Sequence, residues 1–143
     1  SVLWNSGLDY GHGTGHGVGA FLNVHEGPQR ISPFAQDVAL QSGMVVSNEP
    51  GYYEQNWGGI RLENLYVVKK KYGFKNFSGA KGWLCLETLT LVPFDKRLIN
   101  IAMLSSEEIK WLKNYHSQVK DEISPMLDHD EDIKWLNWAC SLD

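Results

Sequence analysis

Hydrophobic and polar positions divide the chain into a strand-forming first part and a helix-forming last part. Residues 12–18 alternate so that an extended chain puts His12, Thr14, His16 and Val18 on one face, with glycines on the other. A helix is excluded there, because each glycine between Gly11 and Gly19 costs about 1 kcal/mol relative to alanine. Turn formers crowd Glu26-Gly27-Pro28 through Ser32-Pro33. Short apolar strands are predicted over 43–48, stopped by Glu49-Pro50-Gly51, over 60–68, and over 83–92, closed by Pro93. In the second strand Arg61, Glu63, Leu65 and Val67 share a face. Lys69-Lys70-Lys71 then reads as a solvated, glycine-containing connection.

Beyond about Asp95 the period changes. Ser105 as N-cap with Glu108 at N3 forms a capping box. Ile109, Leu112, Tyr115, Val119 and Ile123 follow at helical spacing, and Pro125 ends the helix. Asp130 is expected to cap a second helix carrying Ile133, Trp135, Leu136 and Trp138, the two tryptophans serving as core or as a dimer contact. A sheet followed by a helical tail gives an α+β fold, with domains at 1–94 and 95–143.

Composition narrows the function. The 143 residues are 43% hydrophobic and 21% charged, as in globular proteins. A formal net charge of −4 gives no basic surface for nucleic acid. No apolar run reaches the ~18 residues of a membrane span. Cys85 and Cys140 lie far apart, which indicates neither a disulfide framework nor a thiolate metal site. The expectation is a soluble, cytoplasmic protein with no nucleic-acid or membrane partner.

Chemistry concentrates in His12, His16 and His25, and in two carboxylates, Glu49 and Glu63, at the ends of short apolar strands. A charge beside such a strand needs a partner. One histidine with two carboxylates is a ligand set suited to Mn, Co, Fe or Zn. The His12/His16 pair is not the zinc-protease H-E-x-x-H, since Gly13 replaces the glutamate and the glycines deny the helix. No G-x-S-x-G occurs, so nucleophilic serine catalysis is unsupported.

HGTGHGVG at 12–19, NVHEGP at 23–28, NEPGYY at 48–53 and GIRLEN at 59–64 together resemble the aminopeptidase P group of the proline-peptidase, or pita-bread, metallohydrolases. The tail, with LTLVPFDKRLIN and WLKNYH, is similar to the C-terminal extension of the long eukaryotic cytosolic type. The resemblance implies the C-terminal half of a pita-bread domain, a curved antiparallel sheet followed by the helical tail. It implies that His16, Glu49 and Glu63 bind metal, with Glu63 bridging two divalent ions, Mn first and Zn or Co as alternatives. It further implies that His12 and His25 contact a peptide substrate with proline second, and that the enzyme is a homodimer.

Arg61 is expected to orient Glu63 or a ligand histidine through a charge-assisted bond. Relatives carry two further aspartate ligands upstream, so the expectation is a C-terminal part of a longer enzyme, inactive alone and completed by the upstream half of its own domain. Two other readings stay open: a prolidase of the same fold, disfavoured by the nine-residue spacing from His16 to His25, and a non-catalytic pita-bread binding or regulatory module.

Overall fold

The computed structural model describes residues 2–34, 38–74 and 82–142. The chain divides into two compact units, Ser1–Thr90 and Leu91–Asp143.

Among the described residues of the first unit, a four-residue helix α1 (Val2–Asn5) precedes seven short strands: β1 (Gly15–His16), β2 (Arg30–Ile31), β3 (Val45–Asn48), β4 (Gly51–Glu54), β5 (Gly58–Arg61), β6 (Asn64–Lys71) and β7 (Trp83–Thr88). β6 lies between β3 and β7, antiparallel to both, and β1 pairs with β2. A bridge between Gly17 and Val46 carries β1 onto the free edge of β3. Val46 and Val68 are fully buried in this unit.

The stretch read as one strand over 60–68 is two, β5 and β6, and its partner is likewise split into β3 and β4. The split has a local cause. Asn48 pairs with Asn64 and Gly51 with Arg61, so the register passes through the break without a slip. Pro50 therefore stands opposite Leu62. The Leu62 N–H donates to the Pro50 carbonyl at 3.1 Å, but proline has no N–H to return the bond. One long hairpin is thus interrupted at residues 49–50 and 62–63. Arg61 ends β5 and Glu63 falls in the break, with the alternation of the register carried across it.

Two further expectations are corrected. Lys69, Lys70 and Lys71 are not a connecting loop, because they form the end of β6 and pair with Cys85, Leu84 and Trp83. Their side chains are exposed, and hydrogen bonding to β7 decides their conformation. The glycine-containing stretch after them lies largely outside the described residues. The last strand ends at Thr88 instead of residue 92, since the Leu65 N–H that would continue the ladder is taken by the Thr90 hydroxyl at 2.8 Å.

In the second unit, two 3₁₀ turns at Lys96–Leu98 and Ile101–Met103 lead to α2 (Ser106–Ile123) and α3 (Asp130–Cys140). The capping box forms as expected: the Glu108 N–H donates to Ser105 Oγ, and the Ser105 N–H donates to the Glu108 carboxylate. At α3 the cap is His129, and Asp130 is the first helical residue, where its charge faces the positive end of the helix dipole. Tyr115, Val119 and Leu136 form the core. Trp135 and Trp138 are not core, being 57% and 47% exposed, because α3 turns Leu136 and Ala139 inward. Fully buried His116 accepts the Phe94 N–H through Nε2 at 3.1 Å, tying the entry of this unit to the middle of α2.

Candidate metal centre

The interruption of the long hairpin creates the site. Extrapolating the register across it places Glu49 opposite Glu63. Because Pro50 and Leu62 form the hydrogen-bonded type of pair, the two glutamates form the other type, in which backbones approach to about 4.5 Å and side chains come closer. The Glu49 N–H points away from Glu63 and donates to the Thr14 carbonyl at 2.8 Å. That bond draws the histidine segment to the same place.

His16 enters because β1 can lie close against β3. Gly15 is buried, and a Cβ on it would collide with the carbonyl oxygen of Ser47. A Cβ on Gly17 would collide with the carbonyl oxygen of Glu26. The glycines flanking His16 are therefore required by close packing. His16, Glu49 and Glu63 each present a ligand atom, and these atoms lie within 4.8 Å of one another. The family resemblance implied these three residues as ligands, and the fold brings all three together.

The donor set fits a cation. Nδ1 of His16 faces the Gly17 carbonyl at 2.8 Å, and Nε2 faces Glu49 Oε1 at 2.9 Å. With no proton or cation on Nε2, that approach would be repulsive. Two carboxylates directly across an antiparallel pair are repulsive as well. Glu49 is only 6% exposed, which strengthens the demand for a counter-charge.

Arg61 supplies part of that charge, with Nη1 paired to Glu49 Oε2. It thus orients Glu49, whereas the sequence suggested Glu63 or a histidine. Its Nε donates to the Tyr53 hydroxyl at 2.5 Å. The Tyr53 ring lies where a Cβ on Gly51 or Gly59 would collide, so those two glycines make room for it.

His12, His16, His25, Glu49 and Arg61 line one open cavity of ≈ 400 Å³, together with Arg30, Ser32 and Phe34. His25 is exposed, and its ring centroid lies 4.2 Å from that of His16. His12 has both ring nitrogens turned to backbone carbonyls, of Gly13 at 2.5 Å and Gly51 at 3.1 Å, with Tyr53 packed edge-on at 5.5 Å.

Tyr53 and Ser47 were not among the site residues that the sequence pointed to. Ser47 read as one more residue of an apolar strand, although a hydroxyl two positions before Glu49 on the same strand face was the available signal.

Comparison with known proteins agrees with this geometry. Metallopeptidase family M24 matches residues 1–70, and the C-terminal region of that family matches residues 82–142. Aminopeptidase P1 of Lotus japonicus is 48% identical over 137 residues, covering 96% of this chain and 21% of the relative. Xaa-Pro aminopeptidase 1 of Dictyostelium discoideum is 45% identical over 138 residues, 95% of this chain and 22% of the relative. The crystal structure of the X-prolyl aminopeptidase of Caenorhabditis elegans, described as a cytosolic enzyme with a di-nuclear active site, superimposes with a TM-score of 0.86 at 40% identity. It is matched over 97% of this chain and 23% of that one. The chain spans about a fifth of the length of the curated relatives it matches. Its fold is the α+β pita-bread fold, with antiparallel sheets and a helical tail. The chain belongs to metallopeptidase family M24.

Proposed function

We propose that this chain is part of a dinuclear metallo-aminopeptidase that hydrolyses the N-terminal Xaa-Pro bond of peptides. The observation that carries the reading is the convergence of His16, Glu49 and Glu63, whose ligand atoms lie within 4.8 Å of one another. The family match and the relatives' names support it.

In this reading His16 and Glu49 hold one divalent ion, and Glu63 is shared with a second. When bound, the ions supply Lewis acidity and a water acidic enough to ionise near neutral pH. The oxygen-rich donor set favours manganese over thiolate-seeking metals, with zinc or cobalt as substitutes. Arg61 holds Glu49 aimed. His25, exposed beside His16, contacts the substrate and hydrogen-bonds the oxygen on which charge develops. His12 approaches the proline nitrogen after releasing one of its two carbonyl partners.

The remaining ligands come from polypeptide outside residues 1–94, the part of the catalytic domain present here, and residues 95–143 form its helical extension. The working enzyme is a cytoplasmic homodimer. The C. elegans neighbour's description as cytosolic and the exposed Trp135 and Trp138 support these assignments.

The test has two arms. The 143-residue chain should bind one Co²⁺ or Mn²⁺ weakly and lose at least tenfold in affinity on Glu63→Gln substitution. It should release no N-terminal residue from an Xaa-Pro-Xaa tripeptide or an Xaa-Pro dipeptide. Absence of metal binding overturns the metal centre. Mn-dependent hydrolysis by the isolated chain overturns the sharing of ligands with other sequence, and a preference for the dipeptide identifies a prolidase instead.

A further inference from the structure

Ser47 is completely buried, on a strand whose other buried residue, Val46, is apolar. A hydroxyl there would be a cost unless both its donor and its acceptor were used. Both are used, and both on the proposed ligands. Oγ accepts the backbone N–H of His16 at 2.9 Å and donates to Glu49 Oε1 at 3.2 Å. The oxygen it holds is the one that faces His16 Nε2.

Glu49 is consequently held at both ends of its carboxylate, with Oε2 on Arg61 and one lone pair of Oε1 on Ser47. The remaining Oε1 lone pair is the one free to meet a cation beside Nε2. The same hydroxyl fixes the backbone of the histidine that supplies Nε2. A single atom thus sets the spacing between two donors 33 residues apart in sequence.

We propose that Ser47 is a positioning residue that presets the His16–Glu49 pair for metal binding and limits Glu49 to single-oxygen coordination. This inference rests on the metal-centre reading above and adds to it a residue outside the ligand set.

The test uses the full 143-residue chain, with Co²⁺ as probe, its visible absorption spectrum as reporter, and the apo-protein's urea stability measured alongside. Ser47→Ala should weaken Co²⁺ binding by about tenfold or more and change the band shape as Glu49 becomes free to bind through both oxygens. Ser47→Thr, which keeps the hydroxyl, should recover most of the affinity. Val46→Ala, an equally buried neighbour pointing to the other face, controls for loss of stability: it should lower the urea midpoint while the Co²⁺ spectrum and affinity of the folded fraction stay unchanged.

If Ser47→Ala keeps wild-type affinity and spectrum, the positioning role is refuted while the metal centre stands. Equal affinity loss in Ser47→Ala and Val46→Ala also refutes it, since both then act through stability alone. If the wild-type chain binds no Co²⁺, the metal-centre reading itself falls, and the role assigned to Ser47 falls with it.

Discussion

Gly15→Ala is the sharpest perturbation of the scaffold that builds the site. The added Cβ would overlap the Ser47 carbonyl oxygen and stand 2.9 Å from Ile31 Cδ1. The isoleucine can rotate away, but the carbonyl belongs to the β3 backbone, where Ser47 pairs with Leu65. Relief therefore requires β1 to move off β3. That movement stretches the His16 N–H bond to Ser47 at 2.9 Å and the Glu49 N–H bond to Thr14 at 2.8 Å. Overpacking costs about 1–3 kcal/mol, and weakening two hydrogen bonds adds about 1 kcal/mol each. Reduced freedom of the unfolded chain returns about 0.4–1 kcal/mol. The expected net loss is about 2–5 kcal/mol, confined to the first unit. Native-state amide exchange across β1 and β3 measures it, and Co²⁺ titration should show weakened binding in step. Gly11→Ala, where no atom lies within 4 Å of the added carbon, is the control and should stay within about 0.5 kcal/mol of wild type. A Gly15→Ala protein with wild-type exchange and affinity would refute the close-packing argument.

Two other perturbations probe the charges. Arg61→Ala removes the cation from Oε2 of a carboxylate that is 6% exposed, at an expected cost of about 1–3 kcal/mol, below the figure for a fully buried pair because the arginine is itself partly solvated. Urea denaturation of the metal-free protein checks this, and added Co²⁺ should recover part of the loss by supplying positive charge at the same carboxylate. In the second unit, burial holds the His116 imidazole below its ordinary value, and its Nε2 must stay unprotonated to accept the Phe94 N–H. The unfolded chain then binds the extra proton more readily, so stability is complete above the unfolded value of about 6.5 and declines as pH falls from there toward the lower folded value. The slope should not exceed about 1.4 kcal/mol per pH unit. Urea titration followed by helical circular dichroism, which reports mainly α2 and α3, measures it. His116→Gln should remove this component, and an unchanged pH profile in that variant would exclude His116 as its source.

Much of the fold was legible because its signals are local. The Ser105/Glu108 capping box and the period from Ile109 to Ile123 specify α2 without reference to anything distant. Glycines at 15 and 17 announce close approach, although not which strand approaches. What could not be read depended on pairing. Whether Lys69–Lys71 is strand or loop is decided by β7, since an exposed lysine triplet carries no strand preference of its own. The end of β7 is set by the Thr90 hydroxyl capturing the Leu65 N–H, a choice between two acceptors visible only once β6 is beside it. Trp135 and Trp138 looked like core by size, but helical phase turned Leu136 and Ala139 inward.

The site shows the same division between composition and register. Its residue types were readable, because a histidine and two glutamates beside apolar strands form a donor set suited to a divalent cation. Arg61 was expected to orient Glu63 or a ligand histidine, and its guanidinium pairs with Glu49. The register runs past Pro50 without a slip, so Arg61 lies one diagonal step from Glu49 on the opposite strand. Two glutamates facing each other leave an electrostatic demand that Arg61 meets in part and that a divalent cation would complete.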